Sequence, residues 1–245
     1  MAAAALLAMS ATASAQFTNT GSASVSSGGR SMEAWSTFYL QYNPITIVND
    51  NDGAEDLSAS AISVGYNKTF GIAQGTPLFI EAGIAVQYAF ATWSWDDDLK
   101  WGKVTGADPE EKLSMFSAKI PVSLMYRFDL SGSSISLAPY AGFDLRYNVF
   151  GSLKTDKNIE SGYTSPDDDT WEKGTNIKLD KDLFDKKDMG SKDNTCNHFQ
   201  LGWHIGLNAY LGQQFMAGIS YGSDFSELFK KAKMNTTSIT LGYCF

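Results

Sequence analysis

The chain has 245 residues, a formal net charge of −8 at pH 7 and an aromatic content of 13%. The negative charge excludes nucleic acid as an expected partner, because the phosphate backbone is bound mainly by Lys and Arg. Only two cysteines are present, Cys196 and Cys244, so disulfide bonds are not the framework of the fold. No run of about eighteen apolar residues exists, which excludes a transmembrane helix.

The N-terminal residues have the features of a secretory signal peptide. The stretch MAAAALLAMSATASAQF has a short apolar core followed by Ala13-Ser14-Ala15, a small-x-small pattern that predicts cleavage after Ala15. The usual basic n-region is missing, since Arg30 is the first positive charge, and a buried N-terminal helix is the alternative. We therefore assign residues 1–15 to a signal peptide and residues 16–32, rich in Ser and Gly, to a flexible segment.

From residue 33 onward, apolar and polar residues alternate with a period of two, which is typical of β-strands with two different faces. The clearest stretch is LFIEAGIAVQYAF, in which Leu78, Ile80 and Ile84 share one face and Glu81 lies on the other. Eight such strands are predicted, separated by connectors at 43–56, 67–76, 92–112, 129–134, 151–196, 212–214 and 223–234.

The apolar faces of the six clearest strands contain no charged residue. Every charge within these strands lies on the opposite face: Glu81, Lys119, Arg127, Asp144 and Arg146. Aromatic residues cluster towards both ends of the apolar faces, as in the girdles of barrels that cross a bilayer with strands of about 9–11 residues. The connectors also alternate between long and short, which is typical of outer-membrane barrels with long external loops and short periplasmic turns.

These patterns predict an all-β fold in residues 33–245: an eight-stranded antiparallel up-and-down transmembrane β-barrel in the bacterial outer membrane. Its long loops, at about 43–56, 92–112, 151–196 and 223–234, are expected to face the cell exterior. A soluble β-sandwich or a calycin-like barrel is the alternative, because a soluble fold also buries one apolar face of each strand.

The last strand, TSITLGYCF, ends on an aromatic residue. Ile239, Leu241, Tyr243 and Phe245 share its apolar face. This pattern resembles the C-terminal insertion signal of outer-membrane proteins, which the barrel-assembly machinery reads. The resemblance implies that Tyr243 and Phe245 are both recognition residues and members of an aromatic girdle.

The stretches FSAKIPVSLMYRFDL and ISLAPYAGFDLRY carry a wider resemblance. Through Ile120-Pro121-Val122, Tyr126-Arg127-Phe128 and Pro139-Tyr140-Ala141-Gly142, the chain from about residue 33 to residue 245 resembles small outer-membrane β-barrel proteins of the PorT-like or OmpA/OmpX-like kind found in Bacteroidota. These motifs are structural, and the families are functionally heterogeneous. Because proline lacks the N–H that a closed barrel requires, we expect a β-bulge at Pro121 and at Pro139.

An eight-stranded barrel has an interior that side chains can fill. The residues expected there are Glu81, Gln87, Lys119, Arg127, Tyr140, Asp144, Arg146 and His204. Counting from the turn at 129–134 places Lys119 opposite Asp144, which predicts a structural plug. A gated or proton-conducting path is the alternative, and the narrow lumen disfavours a diffusion porin. His198 and His204 share the interior face about 20 Å apart, too far for one metal ion, and the two cysteines are expected to be free thiols.

The loops are acidic, since 21 of the 27 Asp and Glu residues lie in the first three long connectors. Solvated surface is one interpretation. Ca²⁺ binding is the other, because carboxylate oxygens are ligands that Ca²⁺ prefers. The candidate ligands are Asp50, Asp52, Asp56, Asp96, Asp97 and Asp98, although neither cluster has a complete loop signature. Lys181, Lys186 and Lys187 could instead meet lipopolysaccharide phosphates.

We therefore expect a non-enzymatic integral outer-membrane protein, structural or surface-binding through its acidic loops, with no cofactor. Its expected partners are outer-membrane lipid, lipopolysaccharide, the barrel-assembly machinery and an unknown protein or glycan. An accessory role in a secretion or uptake complex and a narrow channel are alternatives. A lipid-modifying enzyme is the weakest one, since it would depend on His198 with nearby Ser191, Asp193 and Thr195.

Overall fold

The computed structural model describes residues 34–50, 55–72, 76–94, 110–131, 133–159, 175–212 and 214–245. Its strands are β1 Trp35–Asn49, β2 Leu57–Gly71, β3 Leu78–Ser94, β4 Glu110–Tyr126, β5 Phe128–Asp129, β6 Ile135–Ile159, β7 Thr175–Asp182, β8 Phe199–Leu211, β9 Phe215–Asp224 and β10 Ala232–Cys244. A one-turn helix, α1, spans Lys186–Met189. Within the described ranges, no helix is long and apolar enough to cross a membrane. The predicted signal peptide and the flexible segment 16–32 lie outside the described residues.

Eight of these strands close into one barrel. Each of β1, β2, β3, β4, β6, β8, β9 and β10 pairs antiparallel with the next, and β10 pairs with β1. The short β5 continues the line of β4 after Arg127, and β7 pairs with β6 beyond the start of β8. The predicted eight-stranded antiparallel up-and-down barrel is therefore confirmed.

The two ends of the barrel differ. We call one the short-turn end, because its connectors are 72–77, 130–134 and 212–214. The other is the long-loop end, with connectors 50–56, 95–109, 183–198 and 225–231 and the hairpin of β6 and β7. Strands run further here than expected, so that β1 continues through Pro44 to Asn49 and β6 to Ile159. The reason is that inward side chains such as Ile45 and Ile47 keep burying apolar surface at this end.

Neither proline of the central strands forms a bulge, so that prediction is wrong. Pro121 pairs in register with Asp144, and Pro139 pairs in register with Leu207. Proline has no N–H to donate to a neighbouring strand. The pairing is interrupted for two residues on the other side of each proline, between β4 and β3 at Pro121 and between β6 and the line of β4 and β5 at Pro139. A bulge occurs elsewhere, at Val149, where the pairing of β4 with β6 shifts.

The predicted partner of Lys119 is also wrong. Lys119 lies opposite Arg146 rather than Asp144. The reason is that the turn is longer than the pattern indicates, so that pairing begins with Asp129 opposite Ser136 and Phe128 opposite Leu137 instead of Ile135, and the same register continues to Lys119. An even offset of two residues changes every cross-strand partner but leaves each side chain on its predicted face.

The barrel interior has three layers along its axis. Apolar and aromatic side chains fill the short-turn end: Trp35, Tyr39, Phe79, Met125, Tyr210, Met216 and Cys244. Polar and charged side chains fill the middle. At the long-loop end the interior is apolar again, formed by Ile45, Ile47, Ala61, Ala89, Leu113, Met115, Leu183, Cys196, Leu228, Ala232 and Met234. We call this last cluster, with the strand ends and connectors around it, the cap.

The outer surface changes character at the level of the cap. Over most of its height the surface is apolar, with exposed Phe38, Leu40, Ile62, Ile84, Val86, Leu124, Phe143, Ile205, Ile219 and Leu241. Around the cap the outward side chains are polar, as in Ser58, Thr92, Lys112, Lys154 and Lys233. Lys68 is an outward charge below the cap, and its Nζ lies 5.7 Å from the ring centroid of Phe70.

Candidate functional site

A cavity lies in the polar middle layer of the barrel. Side chains from all eight barrel strands line it, and the ionisable ones besides tyrosine are Glu81, Lys119, Asp144, Arg146, His204 and Asp224. The sequence predicts five of these six for the interior network. It assigns the sixth, Asp224, to a loop, because β9 ends later than the pattern indicates.

Ser123, His204 and Asp144 form a hydrogen-bonded row across three neighbouring strands. The Ser123 Oγ lies 2.7 Å from His204 Nε2, and His204 Nδ1 lies 2.8 Å from Asp144 Oδ2. Because a carboxylate can only accept, Nδ1–H donates to Asp144. A neutral imidazole then leaves Nε2 free to accept the hydrogen bond of the Ser123 hydroxyl.

Gly142 makes room for this row. Ser123 on β4 lies opposite Gly142 on β6, and Gly142 lies opposite His204 on β8. A Cβ at position 142 would lie 2.7 Å from Ser123 Cα and 2.8 Å from His204 Nε2. Ser123 and His204 stand on strands about 9–10 Å apart, so they meet only because the residue between them has no side chain.

Glu81 is held in the same layer by neutral donors. Asn67 Nδ2 donates to its Oε1 at 2.8 Å, and Thr69 Oγ1 donates to its Oε2 at 3.2 Å. The Glu81 residue is only 6% exposed. Hydrogen bonds of this kind offset part of the cost of removing a carboxylate from water.

Arg146 pairs with Asp224 across the cavity. Its Nη2 donates to Asp224 Oδ2, and its Nε donates to Gln200 Oε1 at 3.0 Å. The layer therefore holds the carboxylates of Glu81, Asp144 and Asp224 and the cationic groups of Lys119 and Arg146, with His204 as the sixth ionisable group. Opposite charges of nearly equal number face one another inside a narrow lumen.

Arg127 lies outside this layer. Its guanidinium stacks between two aromatic rings, with Cζ 4.9 Å from the centroid of Trp35 and 4.5 Å from that of Tyr210. Its Nη2 also donates to Ser136 Oγ at 3.2 Å. Arg127 thus belongs to the aromatic packing at the short-turn end.

The arrangement of a hydroxyl, an imidazole and a carboxylate in one row is chemically distinctive. It is the arrangement in which a neutral histidine can take the proton of a serine while the carboxylate fixes the tautomer. The sequence places all three residues on the inward face but does not bring them together. The signal that could have found the row is the register, because Ser123, Gly142 and His204 align only with the two-residue offset.

His198 lies outside the lumen, which corrects the expectation that it shares the interior face. Its exposed ring stacks between Phe184 and Tyr147, at centroid distances of 4.1 Å and 5.6 Å, and its Nδ1 is 2.7 Å from the carbonyl oxygen of Asn148. Asp193 instead pairs with Lys230, whose Nζ is 2.6 Å from its Oδ2. In the described part of these connectors, the catalytic constellation around His198 does not form.

The predicted Ca²⁺ ligands are only partly described. Asp56 Oδ1 accepts from the backbone N of Asn49 at 3.1 Å, and the backbone N of Asp50 donates to Lys231 O at 2.9 Å. The other candidates, Asp52, Asp96, Asp97 and Asp98, lie outside the described residues. Where the chain is described, no group of three or more His, Cys, Asp or Glu side chains could hold a metal ion.

Both cysteines are free thiols, as predicted, and both are buried. Cys196 packs in the cap, and Cys244 lies in the aromatic layer at the short-turn end. Burial raises the pKa of the Cys196 thiol to about 12. Cys196 therefore stays a neutral, unreactive side chain at ordinary pH.

Tyr243 and Phe245 face outward at the short-turn end. Phe245 stacks on Phe38 of β1 at a centroid distance of 5.5 Å, and Phe215 lies edge-on to Tyr243 at 5.9 Å. The backbone of Phe245 also exchanges two hydrogen bonds of 2.9 Å with Ser36. Phe245 therefore extends the pairing of β10 with β1 by one residue.

No protein-family model and no curated protein sequence matches the chain. Among solved structures, Ail, the attachment invasion locus protein of Yersinia pestis, is 14% identical with a TM-score of 0.42, over 87% of this chain and 100% of its own. Neisserial surface protein A is 14% identical with a TM-score of 0.37, over 87% and 99%. A major outer membrane protein from Thermus thermophilus is 13% identical with a TM-score of 0.36, over 86% and 99%. These similarities do not identify a function and do not confirm the PorT-like or Bacteroidota assignment.

Proposed function

We propose that this protein is a non-enzymatic integral outer-membrane barrel that presents its cap at the cell surface, in a structural or surface-binding role. The observation that carries the proposal is the inversion of polarity along the strands. Below the cap the outer surface is apolar, whereas around the cap the outer surface is polar and the interior is apolar. A single solvent does not favour both an apolar outer surface below the cap and a polar outer surface around it.

The apolar outer band indicates lipid as its medium. Exposed residues such as Leu40, Ile84, Leu124, Phe143 and Ile205 lie on different strands around the barrel. In water, a continuous belt of this kind would far exceed the few hundred Å² of apolar patch that soluble monomers expose. The closed sheet also pairs its backbone groups internally, as lipid requires.

Aromatic residues mark the boundary between the band and the cap. Phe116 and Phe150 stack on neighbouring strands with centroids 5.2 Å apart. Towards the long-loop end of β4, Phe116 is followed on the same face by Ser114 and then by Lys112, and β6 has the same order as far as Lys154. This order of aromatic, hydroxyl and charged side chains is expected where a strand leaves the hydrocarbon and enters water.

Apolar packing at both ends of the lumen, as far as the chain is described, favours a structural or binding role over a channel. Leu183 and Leu228, both nearly fully buried, close the cap, and Phe79, Met125 and Tyr210 close the short-turn end. An ion that crossed either layer of described apolar side chains would lose its hydration water without gaining polar partners. We expect the purified barrel to give no discrete conductance in planar bilayers.

The hairpin of β6 and β7 is the part of the barrel best placed to meet a partner. It continues from Ser152 opposite Asp182 to Ile159 opposite Thr175, beyond the pairing of β6 with β8. We infer that this hairpin, with the acidic loops, faces the cell exterior and lipopolysaccharide. Candidate partners there are a protein, a glycan or a larger secretion or uptake complex.

Membrane fractionation of cells that make the full chain tests the location. We expect the protein in the outer-membrane fraction, released only by detergent. Recovery of a monomer from the detergent-free soluble fraction would overturn the proposal.

Replacing residues 158–176 by an Asn-Gly turn should leave insertion intact, because Lys157 and Ile177 are already paired. Surface binding by whole cells to arrays of proteins and glycans should fall if the hairpin is the binding element.

A further inference from the structure

The Ser123 row has a use that a structural plug does not require. A plug needs opposite charges, which Lys119 and Arg146 provide together with Glu81, Asp144 and Asp224, but it needs no serine hydroxyl against His204. The row instead places a hydroxyl 2.7 Å from one nitrogen of an imidazole whose other nitrogen is held by a carboxylate at 2.8 Å. That geometry activates a nucleophile.

We propose that Ser123 is a base-activated nucleophile that takes an acyl or phosphoryl group from small uncharged activated esters. His204 is the base and Asp144 is the residue that positions it. The three side chains line the same cavity, so a reagent held there would meet the Ser123 hydroxyl. Gly142 has no side chain that would come between Ser123 and His204.

The covalent step is balanced without a cofactor. With a phosphoryl fluoride, the bond between Ser123 Oγ and phosphorus forms while the phosphorus–fluorine bond breaks. The hydroxyl proton passes to His204 Nε2 and leaves with fluoride as hydrogen fluoride. With an ester, the leaving alcohol takes that proton instead.

The apolar layers select which reagents reach Ser123. Described apolar side chains lie on both sides of the cavity along the barrel axis, at the cap and at the short-turn end. A small neutral molecule can cross apolar packing when the barrel fluctuates, whereas a permanently charged one incurs a large desolvation cost. The site is therefore expected to discriminate by charge and size rather than by recognition of a long substrate.

The test uses the full chain folded in detergent micelles, with diisopropyl fluorophosphate as the probe. We expect one diisopropylphosphoryl group per chain, located on Ser123 by peptide mass spectrometry. A phosphorylating reagent of similar size with a quaternary ammonium should leave the folded barrel unlabelled. Absence of the adduct from the folded wild-type chain would overturn the proposal.

Matched variants separate activation from mere accessibility. Ser238 lines the same cavity and is also buried, but it donates to Asn43 Oδ1 at 2.7 Å instead of to a histidine. Ser238→Ala should label as the wild type does, and Ser123→Ala should not label. His204→Gln should slow labelling about 100-fold or more, within the range for loss of a general base.

Asp144→Asn provides a second variant in case His204→Gln does not fold, and folded fractions are compared by heat-modifiable migration in gels. We expect this variant to label at least about tenfold more slowly, because the histidine loses the carboxylate that fixes its tautomer. Unchanged labelling rates in both folded variants, or an adduct on Ser238, would contradict base activation of Ser123.

Discussion

Arg146 of β6 and Asp224 of β9 form a buried ion pair across the intervening strand β8, with side chains only 5% and 10% exposed. Asp224 lies opposite Gly202 of β8, where a Cβ would come within 2.7 Å of its Oδ1. The pair therefore connects two strands that the backbone hydrogen bonds do not join. It is a specific cross-link of the polar layer.

Breaking this pair from one side should destabilise the barrel strongly. Asp224→Asn leaves the Arg146 charge buried without its counter-charge, so we expect the free energy of unfolding to fall by about 3–5 kcal/mol. Urea unfolding of the refolded protein in lipid vesicles measures the loss. Asp193→Asn is the control, because it removes an exposed partner of Lys230 and should change little. Equal losses in the two variants would contradict a structural role for the buried pair.

Gly142→Ala should disturb the middle layer more than a glycine substitution elsewhere in the sheet. The added methyl group meets the backbone oxygen of Val122 as well as Ser123 and His204, and backbone atoms cannot move away cheaply. We expect a loss of about 1–3 kcal/mol or more from overpacking, measured by the same urea titration. Gly71→Ala is the matched control, since its Cβ would meet Phe79 at an ordinary 3.8 Å. A tolerated Gly142→Ala would show that the row adjusts freely.

Cys196 should make the stability of the cap depend on alkaline pH. Burial raises the pKa of its thiol from 9.0 to about 12, so between these values the folded state holds a proton that the unfolded chain has lost. The stabilisation is complete below pH 9 and declines as the pH rises towards 12. We expect the wild type to lose more stability between about pH 8 and pH 11 than Cys196→Ala does. Parallel pH profiles of the two proteins would rule out this contribution.

Phe245 should matter more for assembly in cells than for the stability of the finished barrel. Its removal costs a stacked contact with Phe38 and two backbone hydrogen bonds with Ser36, but the pairing of β10 with β1 from Cys244 onward remains, and Tyr243 and Phe215 still cover the seam nearby. We expect deletion of Phe245 to lower the amount of folded protein in the outer membrane, while chemically refolded protein keeps most of its stability. Phe215→Ala removes a comparable exposed aromatic residue and should leave assembly in cells close to normal. Equal assembly defects in both variants would argue against a terminal signal.

The strand pattern could be predicted from the sequence because one face of each strand has a constant environment. Leu124 and Ile205 lie on the outer face, and Glu81 and His204 lie inside, as their parity required. Parity fails to describe β6 near Val149, where a bulge puts Val149 and Phe150 on the same outer side. The alternation of the residues that precede Val149 gives no sign that an extra residue is inserted there.

The alternation of apolar and polar residues does not determine which residues pair across strands or where the strands end. The partner of Lys119 depends on where pairing begins after the turn, with Asp129 opposite Ser136, and the alternation is the same for any even offset. The pattern assigns the cap to loops, because the apolar residues of the cap face inward and its outer residues, such as Lys154, are polar. The apolar face is the outer one in the rest of the strands and the inner one in the cap, so the same pattern does not identify both.

The central claim is that lipid surrounds the band below the cap, and spin labels at single cysteines measure this most directly. With Cys196 and Cys244 replaced, labels at Leu124 and Ile205 in reconstituted vesicles should be accessible to oxygen and protected from a water-soluble nickel chelate. A label at Lys154, on the outside of the cap, should show the opposite preference. If Leu124 and Ile205 were instead accessible to the nickel chelate, or buried from both reagents, the barrel would not be in the membrane as described.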